Sequence, residues 1–193
     1  MIHDITSASR TVRTFDESCP VTREILEKLI DTARLCPSAR NAQPLRYRLV
    51  TVHEECEALV AATHYAGALP ELHLPLDGHH PTAFIAVCTD SAVSPAGARF
   101  TMFDAGAACQ TIMLRAAEEG FGGVILGAFS ADEVSKILSL PETLEPLVLI
   151  ALGKPAETVK LCDVPESGSV NYFRDENNVH WVPKRRLEDI IVR

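Results

Sequence analysis

Residues 98–119, ARFTMFDAGAACQTIMLRAAEE, hold no proline and a single glycine, with apolar side chains at Phe100, Phe103, Ala107, Leu114 and Ala117. The pattern predicts one helix of about 20 residues. Polarity is low nearly all round it, and the small residues Ala105, Gly106, Ala107 and Ala108 fall on several of its faces. Such a helix is either central in a core or buried at a subunit interface, so the rest of the chain has to be assembled around it.

C-terminal to this helix, Gly123 to Phe129 reads as a strand, and Ser130 with Glu133 makes a capping box for a helix ending near Leu138. Pro146 to Gly153 reads as an inner strand. On the N-terminal side, Ala83 to Thr89 is apolar throughout, as an inner strand is, whereas Arg46 to Val52 begins by alternating charged and apolar residues, as a half-buried strand does. Thr22 to Leu35 places Ile25, Leu26, Leu29, Ile30 and Ala33 at the spacing of a helix with one buried face, and Pro37 stops it. His64 to Pro81, with Gly67, Pro70, Pro75 and Gly78, reads as a long loop. Beyond Gly153 the pattern weakens until Leu187 to Val192, expected to be a terminal strand on a sheet edge. The sum is α+β, a sheet with helices on its faces, in one compact domain over residues 1–193.

Composition narrows the function classes. The chain has 193 residues, 47% of them apolar, and a formal charge of −8 from 18 Lys and Arg against 26 Asp and Glu. Its average field repels nucleic acid and anionic membranes, and its apolar runs are far shorter than the ~20 residues of a membrane-crossing helix. No signal-peptide core stands in residues 1–15, so a cytoplasmic location is expected. The six cysteines are scattered with no close pair, which fits neither a disulfide framework nor a zinc knuckle.

Gly120, Gly122, Gly123 and Gly127 follow a helix and enter a strand, the reverse of a phosphate-cradling loop, so neither nucleotide motif fits; they suit a flat ligand approaching the backbone. His64, His73, His79 and His80 lack the cysteine or carboxylate neighbours that fix a metal geometry. No nucleophile motif is present. What stands out in an acidic chain is basic residues near both ends, Arg10 and Arg13, then Lys184, Arg185 and Arg186. Converging, they would hold an anion such as a phosphate; separate, they are exposed charges flanking the termini.

The segment Ser9-Arg10-Thr11-Val12-Arg13-Thr14-Phe15 resembles the N-terminal Arg-x-Ser-x-Arg segment of the FMN-dependent nitroreductase family. Pro37-Ser38-Ala39-Arg40-Asn41-Ala42-Gln43-Pro44 is similar to that family's Pro-Ser-x-x-Asn-x-Gln-Pro motif. Asp104-Ala105-Gly106 opening a long helix, Gly120-Phe121-Gly122 to Gly127-Ala128-Phe129, and His180-Trp181-Val182-Pro183-Lys184-Arg185 resemble further family motifs, in the family's order. Ser9, Leu45 and Ala39 depart from its commoner residues.

The resemblance implies a central, mainly antiparallel sheet with helices on both faces, and a homodimer whose C-terminal segment is exchanged between subunits. Two FMN sites would lie at the interface. It implies that Arg10, Thr11 and Arg13 with Lys184 and Arg185 grip the phosphate, ribityl chain and pyrimidine edge. Pro37, Ser38, Ala39 and Asn41 would come from the other subunit. Ile125 and Leu126 would cover the flavin face, and backbone groups at Gly127 and Ala128 would bond its N5 edge. The expected activity is NAD(P)H oxidation through flavin N5 with a small-molecule nitroaromatic, quinone or similar acceptor, with NADH or NADPH as reductant and no protein nucleophile. A specialised relative that dehalogenates, oxidises a ring or breaks down flavin, and a non-catalytic FMN-binding protein, are the alternatives.

Overall fold

The computed structural model describes residues 1–67, 72–93 and 97–192. In chain order its elements are α1 (Ile2–Ala8), β1 (Phe15–Asp16), α2 (Arg23–Ala33), β2 (Leu45–Val50), α3 (His53–Ala61), β3 (Ala83–Asp90), α4 (Ala98–Glu118), β4 (Gly122–Leu126), α5 (Ala131–Ile137), β5 (Leu144–Pro155), β6 (Val159–Asp163), β7 (Phe173–Arg174), β8 (His180–Lys184) and α6 (Leu187–Ile190). The fold is α+β. Its main sheet runs β2-β3-β5-β4 with every neighbour antiparallel, and β1 pairs with the end of β5.

The apolar run in β3 is buried from Ala83 to Cys88, and the strand's alternation explains why both faces need cover. Ala83, Ile85 and Val87 point to one side with Ile150 and Leu152. There they meet Leu26 and Leu29 of α2 and Ala105, Ala108, Cys109, Ile112 and Met113 of α4. Phe84, Ala86 and Cys88 point to the other side, against Cys56 and Leu59 of α3 and Val134 and Leu138 beside α5. The small residues of α4 thus serve a core first, letting the helix lie close to the sheet and to α2. Thr22 caps α2 by accepting from the Ile25 amide, and Ser130 caps α5 by accepting from the Glu133 amide.

Several expectations are corrected. The strand expected from Gly123 to Phe129 ends at Leu126, and Phe129 instead makes an isolated bridge with Thr63. Asp104 does not open the long helix but lies in its second turn, because the helix begins at Ala98. Beyond β5 the chain forms a second sheet, β6-β8-β7, with β6 parallel and β7 antiparallel to β8. The expected terminal strand at Leu187 to Val192 is a helical turn, Leu187–Ile190, with Glu188 and Asp189 in its first turn where the helix dipole favours acids. Of the loop from His64 to Pro81, residues 68–71 lie outside the described residues.

Close approach of the N-terminal arm depends on Gly153. A Cβ there would stand 2.6 Å from the Phe15 ring, and Phe15 is fully buried. Gly153→Ala is therefore expected to cost about 1–3 kcal/mol through overpacking, seen as a lower urea midpoint with an unchanged slope.

Candidate functional site

Two segments carry most of the residues singled out above. The first is the arm from Ser9 to Thr14. Thr11 bridges Gly123 in parallel fashion, and the Val12 amide donates to the Gly123 carbonyl at 2.8 Å. The absence of a side chain at Gly122, where a Cβ would fall 2.8 Å from Val12, lets the arm lie flush on β4. Val12, Thr14 and Phe15 are buried. Arg10 donates to the Thr6 carbonyl, yet the Nε atoms of both Arg10 and Arg13 are buried without a hydrogen-bond partner. Burial pushes both guanidinium groups below their ordinary pKa. Buried, unsatisfied arginine donors on one arm call for a physical reason, and an anion or a ring edge has the acceptors that would satisfy them.

The second segment is the loop from Pro37 to Pro44. Arg40, Asn41 and Gln43 have φ of 56°, 54° and 49°, left-handed conformations that cost a non-glycine residue roughly 1 kcal/mol or more each. Asp104 on α4 offsets that strain. Its carboxylate accepts from the Ser38 hydroxyl at 2.6 Å and from the Ala39 amide at 3.1 Å, while the Ser38 hydroxyl accepts from the Gln43 amide at 3.0 Å. Hydrogen bonds to a charged acceptor contribute about 1.5–3 kcal/mol each, so this one side chain balances the backbone cost. A cavity of about 130 Å³ lies beneath, lined by Pro37, Ser38, Gln43, Tyr47 and Asp104 among others. Burial, with Cys109, Cys36 and Asp104 nearby, pushes the Tyr47 hydroxyl up to about 12, so it stays protonated at neutral pH.

Within one chain these segments do not meet. Ser9 is tied to the Met113 carbonyl of α4 and the loop to Asp104 of the same helix; nine residues at 1.5 Å each separate the anchors by about 13 Å. The two basic clusters do not converge either. Arg13 neighbours Tyr172, its guanidinium carbon 5.0 Å from that ring's centre, and Tyr172 in turn stacks on His180 at the start of β8. Lys184 ends that strand, four residues on and about 13 Å away, and exposed Arg185 follows it. On the edge strand β4, Ile125 is 45% exposed while Leu126 is buried in the core, so of the expected pair only Ile125 presents its side chain. Gly127 is exposed with nothing within 4 Å of where its Cβ would be, and the Ala128 carbonyl accepts from the His64 amide.

The structure adds Glu157, which no motif marked, and gives His180, quoted above only as part of a motif, a place beside Arg13. Glu157, 4% exposed, accepts from the Arg13 and Thr14 amides and from Arg174. His180 is 1% exposed, and neither ring nitrogen has a hydrogen-bond partner among the described residues. Burial first, then Arg13 and Arg174, push it down to about 4.

Comparison with known proteins shows what the chain is similar to. The description "Nitroreductase family" matches residues 7–154. A protein of Archaeoglobus fulgidus named "Putative NADH dehydrogenase/NAD(P)H nitroreductase" is 28% identical over 77% of this chain and 82% of its own length. A likewise named protein of Methanothermobacter thermautotrophicus is 28% identical over 77% of this chain and 74% of its own. Among solved structures, one of that same name from Bacteroides thetaiotaomicron has a TM-score of 0.66 at 27% identity, covering 81% of this chain and 88% of its own. A "putative nitroreductase in complex with fmn" from Desulfovibrio desulfuricans has a TM-score of 0.69 at 22% identity, covering 100% of this chain and 95% of its own, a likeness of fold.

His180 gives the folded state a pH signature. Its folded pKa near 4 lies below the ordinary 6.5, so between those values the unfolded chain binds the extra proton. Stability from this group is complete above about pH 6.5 and lost as pH falls toward 4, by about 3 kcal/mol at most. Urea midpoints measured across that window should fall less steeply for His180→Phe than for the wild type.

Proposed function

The chain belongs to the nitroreductase family, and from that premise we propose that it is an FMN-dependent NAD(P)H oxidoreductase acting on nitroaromatic, quinone or similar electron-poor acceptors. The observation that carries this reading is the pair of buried, unpartnered guanidinium nitrogens of Arg10 and Arg13 on an arm pinned to the edge strand. Bound FMN would supply hydride uptake at N5 from NADH or NADPH and its delivery to the acceptor.

The residues present fit that group. Arg10 offers a charged donor for a terminal phosphate and Thr11 a hydroxyl for the ribityl chain, while Lys184 and Arg185, which stand apart from Arg10 within one chain, would join the phosphate from a partner subunit. Arg13 would lie at the pyrimidine edge, where a cation stabilises the charge that reduction places there. Exposed Ile125 gives an apolar wall for a flat ring, and the open backbone at Gly127 and Ala128 offers groups to its N5 side. Leu126 would act from the core, backing that wall. Pro37, Ser38, Ala39 and Asn41, on the strained loop held by Asp104, would close the site from a second chain.

A homodimer follows in this reading from distance and surface. The arm and the loop are anchored about 13 Å apart on one α4, so a partner's loop is required to meet the arm. The chain exposes 11009 Å², against about 9,000 Å² for a compact monomer of 21.0 kDa. Phe100, Met102 and Phe103 on α4 and Leu187, Ile190 and Ile191 at the C-terminus contribute to that excess. Exchange of the C-terminal segment would cover both patches.

Arg13→Ala is expected to slow hydride transfer from NAD(P)H at least tenfold while weakening FMN binding only a few-fold, because the lost charge matters most in the reduced state. Arg185→Ala should do the reverse, since a phosphate contact is equal in both redox states. Stopped-flow flavin reduction and fluorescence titration of FMN separate the two; identical behaviour of both variants contradicts the assignments.

A further inference from the structure

Five of the buried polar atoms without a hydrogen-bond partner gather in one place: Nε of Arg13, Nε of Arg174, Oγ1 of Thr14 and both ring nitrogens of His180. Buried polar groups are ordinarily satisfied, so a cluster of orphans calls for a physical reason. Apart from Arg13 and Thr14, its members stand outside residues 7–154, the stretch that matches the family, and so does Glu157, which organises them.

Glu157 holds the arm and the second sheet together. One carboxylate oxygen accepts from the Arg13 and Thr14 amides, and the other accepts from the Arg174 guanidinium, whose own Nη1 reaches Asn178 at 3.0 Å. Arg174 is 11% exposed and Glu157 4%, so this ion pair is largely withdrawn from water. On the far side Tyr172 supports the Arg13 guanidinium through its ring face and packs against His180, 5.2 Å between ring centres. The neighbouring Asp175 is engaged by the Trp181 indole and the Val179 and Asn177 amides, so it does not pair with either arginine.

The charge balance follows. Arg13 and Arg174 contribute two positive charges and Glu157 one negative charge, while His180, buried between cations, is uncharged at neutral pH. A net positive charge in a dry setting is costly unless a counter-charge arrives, and removing one partner of such a pair changes the local field more than a surface substitution does. The protein maintains this imbalance with a folded sheet beside it, which a purely structural anchor would not require.

We infer that Glu157 and Arg174 are positioning residues that fix Arg13 and set the positive field at the reducible ring, so that this C-terminal sheet tunes the flavin's readiness to accept hydride. The inference rests on the FMN reading above. Neither residue touches the ring in this account; both act through Arg13 and through their charge.

Opposite signs separate tuning from mere support. Arg174→Gln keeps donors for Glu157 and Asn178 but removes a positive charge, so reduced FMN should bind less well relative to oxidised FMN and the midpoint potential should fall. Glu157→Gln keeps the one acceptor oxygen that both amides use but removes the negative charge and the acceptor facing Arg174, so the potential should rise. Each shift should correspond to a three- to tenfold change in the affinity ratio, up to about 30 mV for a two-electron couple. Arg174→Lys, which retains the charge, should stay within twofold of the wild type. The measurement is an equilibrium reductive titration of the FMN-loaded proteins against a reference dye, with circular dichroism confirming the fold. Shifts of one sign in both glutamine variants, or none, in folded and loaded protein overturn the inference while leaving the FMN reading intact. A wild type that takes up no FMN rejects that reading and the inference with it. Should the glutamine variants not fold, the wild-type apoprotein decides by NMR: a His180 ring still uncharged at pH 5.5 supports the buried cationic cluster, and one titrating near 6.5 overturns it.

Discussion

The end of β5 is the constraint on which the rest depends. Residues 149 to 155 pair with β3, β4 and β1 through a single stretch of chain, so the position of each of those strands is fixed relative to the others. Gly153 within it leaves room for the Phe15 ring, and immediately beyond it the Ala156 amide donates to the Thr14 carbonyl while Glu157 takes the Arg13 and Thr14 amides. A strand buried on both faces thus ends by dictating where an arginine-bearing arm lies. The core supplies rigidity, and the last few residues convert it into the placement of two guanidinium groups.

The opposite half of the candidate site is built on different physics. The loop from Ser38 to Gln43 adopts three left-handed residues without a glycine among them, and its cost is met by hydrogen bonds that one buried carboxylate accepts. The consequence is a backbone that presents fixed groups without a supporting strand. Both halves are anchored to α4, nine residues apart, which makes that helix the ruler of the site as well as a wall of the core.

Much of this was legible in the sequence. The 3.6-residue spacing in α2, the unbroken apolar run of β3 and the proline-free stretch of α4 each predicted an element, and the structure contains all three, while the low polarity of α4 left core and interface both open. The second sheet was not legible: β7 has two residues, and β6 and β8 are short with mixed polarity, so no period of two emerges. Leu187 to Val192 misled because its apolar residues suit an edge strand, whereas the acids at 188 and 189 favour a helix start. In the site, the arginines and the strained loop were marked by motif. Glu157 and Arg174 were invisible, and His180 was marked only as part of a motif, because their meaning is an interaction across more than 140 residues with Arg13, and no spacing in the sequence encodes that.

The central claim is that Arg10 and Arg13, each with a buried Nε that lacks a partner among the described residues, are there to hold FMN for hydride transfer from a nicotinamide. The most direct measurement is the absorption spectrum of the purified protein, supplied with FMN if needed, followed by anaerobic titration with NADH and with NADPH. The account predicts a protein-bound flavin spectrum that bleaches with one equivalent of reductant per site and returns when an electron-poor acceptor is added. A folded protein that stays colourless with FMN present, or whose bound flavin neither nucleotide reduces, would contradict it.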